Sequence, residues 1–296
     1  SIGLFIFTAV IGIAIAVMNY EIPVWVKVHI PESSGIATGI YVTLMGVGAS
    51  VATAISVPIA ESSSLTWKLS MAPWVLLAAA SAFFWFVKRR NVLTARSTDS
   101  VPFWRTSAIK SPMAWGLVLF FGLESMTFYG SASWLPTILT TKDFTLSSAA
   151  IALSLSGIIG SAVGVIFPHY FEKSGSQRTI LILTSLFTAF SFFMVTVQTG
   201  WVLFIWLSLS NIGISIAFPL ALMMAGLKSN SPEATRNLST MMQAFGYSLS
   251  ATGPYFMAKL HDISNSWDIA MYGVVVICLL QAGASYIVGK PSKIDY

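Results

Sequence analysis

Nine times between Ile2 and Gly289 the chain runs through a stretch of about 20 mainly apolar residues, roughly the length a helix needs to cross the hydrocarbon core of a bilayer. The stretches are about 2–26, 36–60, 68–87, 112–139, 146–170, 179–198, 201–227, 236–259 and 268–289. In lipid, every backbone N–H and C=O must be satisfied inside a helix or around a closed barrel. The period-two alternation of barrel strands is absent, which leaves helices. Internal Gly and Pro are no objection, because neighbouring helices re-satisfy the backbone. Only 9% of the residues are charged, against about 25% in soluble domains. So few charges cannot cover a water-facing surface, and the expected fold is an all-α integral membrane bundle.

The loops set its orientation. One side holds 27–35, 88–111, 171–178, 228–235 and the tail 290–296. With flanking residues it carries Lys27, Lys88, Arg89, Arg90, Arg96, Arg105, Lys110, Lys173, Arg178, Lys228, Arg236, Lys290 and Lys293. The other side carries Lys68, Lys142 and Lys259. Thirteen against three makes the first side cytoplasmic, and the C-terminus with it. Ser1 then starts outside. Trp25, Trp85 and Trp115 fall near the inner interface, and Trp67, Trp134, Trp201 and Trp267 near the outer one, as an aromatic belt requires. The net charge of +5 is spread over short loops and is no nucleic-acid signature. The single cysteine, Cys278, offers no disulfide framework.

The chain also repeats itself. Residues 11–16 read IGIAIA and residues 212–217 read IGISIA. Pro31-Glu32 and Pro232-Glu233 follow at the same offset of 201 residues, with Trp67 and Trp267 near it. The first three stretches thus superpose on the last three. Transporters are often built from such repeats. The middle three stretches then need partners of their own, which would lie before Ser1. The expectation is a twelve-helix protein of two six-helix halves, with nine of the twelve helices present here. Residues 1–87 are the remaining three helices of the N-terminal bundle, 88–111 a polar cytoplasmic linker, and 112–296 the C-terminal six-helix bundle.

Few groups can carry chemistry. His29, His169 and His261 lie outside the apolar core, the first two on the cytoplasmic side and the third on the external side, and no cluster has metal-ligand spacing. No cofactor is expected. Glu124 is the exception, in the middle of 112–139. A carboxylate at that depth costs several kcal/mol unless it neutralises, pairs or faces water. It is a candidate for coupling to protons or contacting substrate, and the other reading is a hydrogen bond to a neighbouring helix. Glu21, nearer an interface, is explained as well by snorkelling or local pairing as by a functional role. Asn19, Asn211 and Gln243 are amides at membrane depth, suited either to gluing helices or to lining a cavity. Tyr41, Tyr129 and Tyr247 are open to lining the same cavity or to ordinary packing, and packing is the commoner role. Gly35/Gly39 and Gly160/Gly164 have small-xxx-small spacing for close helix contact. Gly253-Pro254 suggests a bend or a close approach within the eighth stretch.

Read together, these residues resemble the major facilitator superfamily, and within it the bacterial cyanate permease / nitroimidazole transporter family. Four segments carry the likeness: Asn19 with Pro23, Lys27 and HIPESSGIATGIY (29–41); FFGLESMTFYGSASWLPTIL (120–139); FPLALMMAGLKSNSPEA (218–234); and MMQAFGYSLSATGPYFMAKLHDISNSW (241–267). The loop with Glu172, Lys173 and Gly175 looks like a degenerate copy of the superfamily's acidic-basic-x-Gly loop, with its basic run reduced to Arg178. Two departures stand out. The family pattern usually has a glutamine where this chain has Glu124, and the family's first three helices are absent.

The resemblance implies a multi-pass transporter of the cell membrane, not an enzyme. Two bundles would rock about a site near the bilayer midplane, exposing it to one side at a time. The implied partners are a small polar or weakly charged solute, cyanate- or nitroimidazole-like, and the lipid bilayer, with protons as a candidate coupling ion if Glu124 titrates. Asn19, Glu124, Tyr129, Asn211, Gln243 and Tyr247 are the candidate binding or coupling residues, and Glu172, Lys173 and Gly175 the conformational loop. A channel would need a filter or a ring of charges. A membrane enzyme would need a catalytic constellation. A chain unable to complete the two-bundle cavity would be a remnant or depend on a partner.

Overall fold

The computed structural model describes residues 2–29, 34–62, 67–88, 107–173 and 177–292. Among these residues there is no strand. The helices are α1 (Ile2–His29), α2 (Ser34–Glu61), α3 (Trp67–Ser70), α4 (Ala72–Lys88), α5 (Pro112–Thr140), α6 (Leu146–Lys173), α7 (Gln177–Val197), α8 (Gly200–Leu227), α9 (Pro232–Ser250), α10 (Gly253–Ser264) and α11 (Trp267–Val288), with a 3₁₀ turn at Ser107–Lys110. Each apolar stretch is helical. The third is divided between α3 and α4, and the eighth between α9 and α10.

Seven of the described helices are long and apolar enough to cross a membrane. The other two stretches, 112–139 and 236–259, are helical but more polar. The first carries Glu124, Ser125, Thr127, Ser131 and Ser133, and the second is interrupted at 251–252. These two departures from an unbroken apolar span lie where the structure places its polar groups.

Local sequence explains the ends. Ser111 caps α5: its hydroxyl accepts the Ala114 N–H at 3.4 Å, with Pro112 in the first turn. Ser231 and Pro232 do the same for α9, where the Ala234 N–H lies 3.1 Å from the serine oxygen. Such hydroxyls satisfy amides left over at a helix start, where proline has no amide to lose. Of the bend or close approach expected at Gly253-Pro254, the close approach is present. A Cβ on Gly253 would stand 2.7 Å from the Met126 carbonyl oxygen, so α10 reaches the backbone of α5. Trp67 is the first residue of α3 and Trp267 the first of α11, and α9 opens on Pro232.

The buried apolar residues form two clusters within α5–α11. One gathers Leu117, Phe120, Phe121, Leu220, Met224, Leu238 and Met241. The other gathers Leu135, Ile138, Leu139, Phe192, Leu207, Met257 and Met271. On α5 the clusters are separated by residues 122–134, which hold Glu124. α2 packs along α6 and touches α8, and α1 packs on α2. α1 and α4 turn most of their apolar side chains outward.

Gly175, Pro31-Glu32 and most of the linker, 89–106, lie outside the described residues. So do the side chains of Glu21, His29, His169, Glu172 and Lys173, and the surroundings of Gly35 and Gly39.

Candidate functional site

A cavity of about 390 Å³ opens where α2 faces the helices of 112–296. That size suits a small ligand. α2 contributes Thr43, Gly46 and Ser50; α5 contributes Glu124, Ser125, Phe128, Tyr129 and Ser131. α6 adds Gly157 and Ser161, α8 adds Asn211, Ser215 and Phe218, and α9 adds Tyr247.

Small residues let these helices approach. Ser154 Oγ donates to the Ser50 carbonyl at 2.6 Å, joining α6 to α2. A Cβ on Gly157 would lie 3.5 Å from Ser50 Cβ, and one on Gly46 3.4 Å from Ser161 Cβ. At the far end of the same helix pair, Ser147 Oγ donates to Glu61 Oε2 at 2.6 Å. On the other flank of α6, Cβ atoms on Gly160 and Gly164 would each come within 2.7 Å of a backbone oxygen, of Asn211 and Ser215 respectively. This is the close helix contact expected from the Gly160/Gly164 spacing.

An aromatic group forms one side. Tyr247 meets Phe121 edge-on at 5.0 Å and Tyr129 at 6.5 Å, while Phe128 meets Tyr129 at 5.2 Å. Glu124 lies one turn from both Phe121 and Phe128 on α5, so the carboxyl group shares this side of the helix. It is 2% exposed and accepts one hydrogen bond, from Ser125 Oγ to Oε2 at 3.1 Å. No Lys, Arg or His is among the described residues lining the cavity. A buried carboxylate without a cation is costly. The group can be relieved by taking up a proton or by accepting hydrogen bonds from a ligand.

Four of the six candidate binding residues therefore meet at one cavity: Glu124, Tyr129, Asn211 and Tyr247. Asn211 Nδ2 donates to Ser156 Oγ and to the Leu207 carbonyl, both at 3.1 Å. It thus joins α8 to α6 as well as facing the cavity, and both readings of that amide hold. The other two are not in its wall. Asn19 Oδ1 accepts from the Tyr41 hydroxyl at 2.7 Å, tying α1 to α2. Gln243 is half-buried on α9, one turn before Tyr247. Ser50, Ser125, Phe128 and Phe218 were not evident from sequence. Serine is common throughout these helices, and nothing local marks which serines face a cavity.

A family model described as Major Facilitator Superfamily matches residues 1–254. The chain is 31% identical over 289 residues to a Bacillus subtilis protein named "Uncharacterized transporter YycB", covering 97% of this chain and 71% of that one. It is 30% identical over 296 residues to the 2-nitroimidazole transporter of Escherichia coli, covering 97% and 72%. It is 24% identical over 281 residues to the cyanate transport protein CynX of Escherichia coli, covering 91% and 70%.

Proposed function

Since this chain belongs to the Major Facilitator Superfamily and is a multi-pass membrane transporter rather than an enzyme, we propose that it carries a small, planar, weakly charged solute by alternating access, with Glu124 coupling the movement to protons. The observation that carries this reading is one buried carboxyl group in the wall of a cavity bounded by α2 on one side and α5, α6, α8 and α9 on the other. Residues 1–87 and 112–296 are the two moving parts, joined by 88–111. The linker and the C-terminus lie on the cytoplasmic side of the cell membrane.

Substrate chemistry follows from the lining. Phe128, Tyr129, Phe218 and Tyr247 present ring surface, and Thr43, Ser50, Ser125 and Asn211 present hydrogen-bonding edges. That pairing of apolar faces and a few polar groups suits a flat heterocycle bearing polar substituents. With Glu124 present and no described cation in the wall, a permanent anion would meet like charge without a counter-charge. The relative named a 2-nitroimidazole transporter is therefore a better guide to the probe than the one named for cyanate. Proton and solute binding at neighbouring groups are linked, so each shifts the other's affinity by the same factor.

The test is uptake of labelled 2-nitroimidazole and cyanate into proteoliposomes under an imposed pH gradient. Accumulation of the heterocycle is expected, with Glu124→Gln abolishing gradient-driven accumulation while sparing exchange of solute for solute. Unchanged accumulation in that variant removes Glu124 from the coupling. Preferential accumulation of cyanate contradicts the assignment of solute class.

A further inference from the structure

We infer that Gln281 is the positioning partner of Glu124: it faces the carboxyl group from α11 and hydrogen-bonds to it as its protonation changes. The inference rests on the proton-coupled reading above and goes beyond the cavity, whose lining does not include Gln281.

Helix register places the two groups together. α5 and α11 run antiparallel with small residues between them. A Cβ on Gly116 would lie 3.0 Å from Ile287 Cγ2, and Thr127 Oγ1 stands 3.6 Å from Cys278 Sγ. These two contacts fix the pairing along the interface. Residues three apart share a helix face. One turn from Thr127 toward Gly116 is Glu124, and one turn from Cys278 toward Ile287 is Gln281. The two side chains are thus level at one interface, and each is 2% exposed.

Both are under-partnered. Gln281 Nε2 is buried with no hydrogen-bond partner among the described residues. Among the described residues, Glu124 has only the Ser125 hydroxyl. A buried polar group left unpaired needs a reason, and function is one of the common reasons. A primary amide suits a carboxyl group that changes state. Its N–H donates to the carboxylate, and its carbonyl accepts from the protonated acid after rotation of the amide plane. An ammonium at this place would favour the ionised carboxylate throughout. An amide can serve both forms, which a repeated cycle of proton uptake and release requires.

The test reads the carboxyl group itself. Infrared difference spectra of the chain in lipid nanodiscs, recorded across a pH titration, contain the C=O stretch of protonated Glu124, assigned by its loss in Glu124→Gln. Gln281→Met keeps the side-chain length and removes the hydrogen bonding. It is expected to move that band to higher frequency, as the C=O stretch of a carboxylic acid does when its O–H loses a hydrogen bond, and to lower gradient-driven uptake more than exchange. Gln281→Asn keeps the amide but shortens it, and supplies the same comparison if the Met variant does not fold. A band unchanged in frequency in these variants overturns the pairing while leaving Glu124 in its role. Absence of any Glu124-dependent band at every pH tested overturns the pairing together with the proton-coupled reading.

Discussion

A carboxyl group buried among apolar helices must be relieved by a proton, a hydrogen bond or a counter-charge. At Glu124 the structure supplies one hydroxyl and no described cation in the cavity wall. The aromatic side chains beside it have a separable part to play. Tyr247 contributes its ring, through edge contacts with Phe121 and Tyr129. Tyr247→Phe is therefore expected to leave KM for the solute near wild type. Tyr247→Ala should raise it about 2–10-fold, the equivalent of losing one or two aromatic contacts. A Phe variant as impaired as the Ala variant would shift the role to the hydroxyl, which both variants lack. Much of this site was legible in the sequence, because Glu124, Tyr129, Asn211 and Tyr247 are polar groups inside otherwise apolar stretches. Gln243 has the same signature yet falls outside the cavity. How far a cavity extends along a helix depends on neighbouring helices, which one sequence does not display. Gln281 carried the signature too, as an amide in the middle of the ninth stretch, but nothing local pairs it with Glu124. That pairing appears only when α5 and α11 are laid side by side.

At the scale of elements, the two helices that depart from a simple apolar span are those with polar work to do. α5 interrupts its apolar surface between two core clusters, and α9 gives way to α10 at Gly253-Pro254, where α10 meets the α5 backbone. Hydropathy identified each stretch as helical and located the second interruption, because Gly-Pro is a strong local signal. It could not state which helices pack together, since lipid-facing and protein-facing apolar residues look alike in sequence. Small residues are a partial guide. Gly160 and Gly164 press against the backbone of α8, so Gly160→Val should wedge α6 from α8. Overpacking of this kind costs about 1–3 kcal/mol, read as a lowered melting temperature of the purified protein. The same substitution at Gly12, where no neighbouring element among the described residues comes within 4 Å of an added Cβ, should leave the melt unchanged. Equal effects at both positions would mean that the α6–α8 contact is not what Gly160 provides.

At the scale of the whole molecule, the account requires α2 to part from α6 and rejoin it as the cavity changes sides. The contact brings together small residues and hydroxyl groups: Gly46 with Ser161, Gly157 with Ser50, and the Ser154 hydroxyl with the Ser50 carbonyl. Its geometry also allows it to be locked. A cysteine at Gly157 would place its Cβ 3.5 Å from the Cβ of residue 50, within the range a disulfide accepts. The native Cys278 is buried and should not compete. The measurement that tests the central claim most directly is uptake of labelled 2-nitroimidazole by the Ser50→Cys/Gly157→Cys double variant, reduced and oxidised, in proteoliposomes. The account expects uptake by the reduced protein, its loss once the disulfide forms, and its return on adding reductant. Undiminished uptake with the disulfide shown to be complete would contradict a transport cycle in which α2 and α6 move apart.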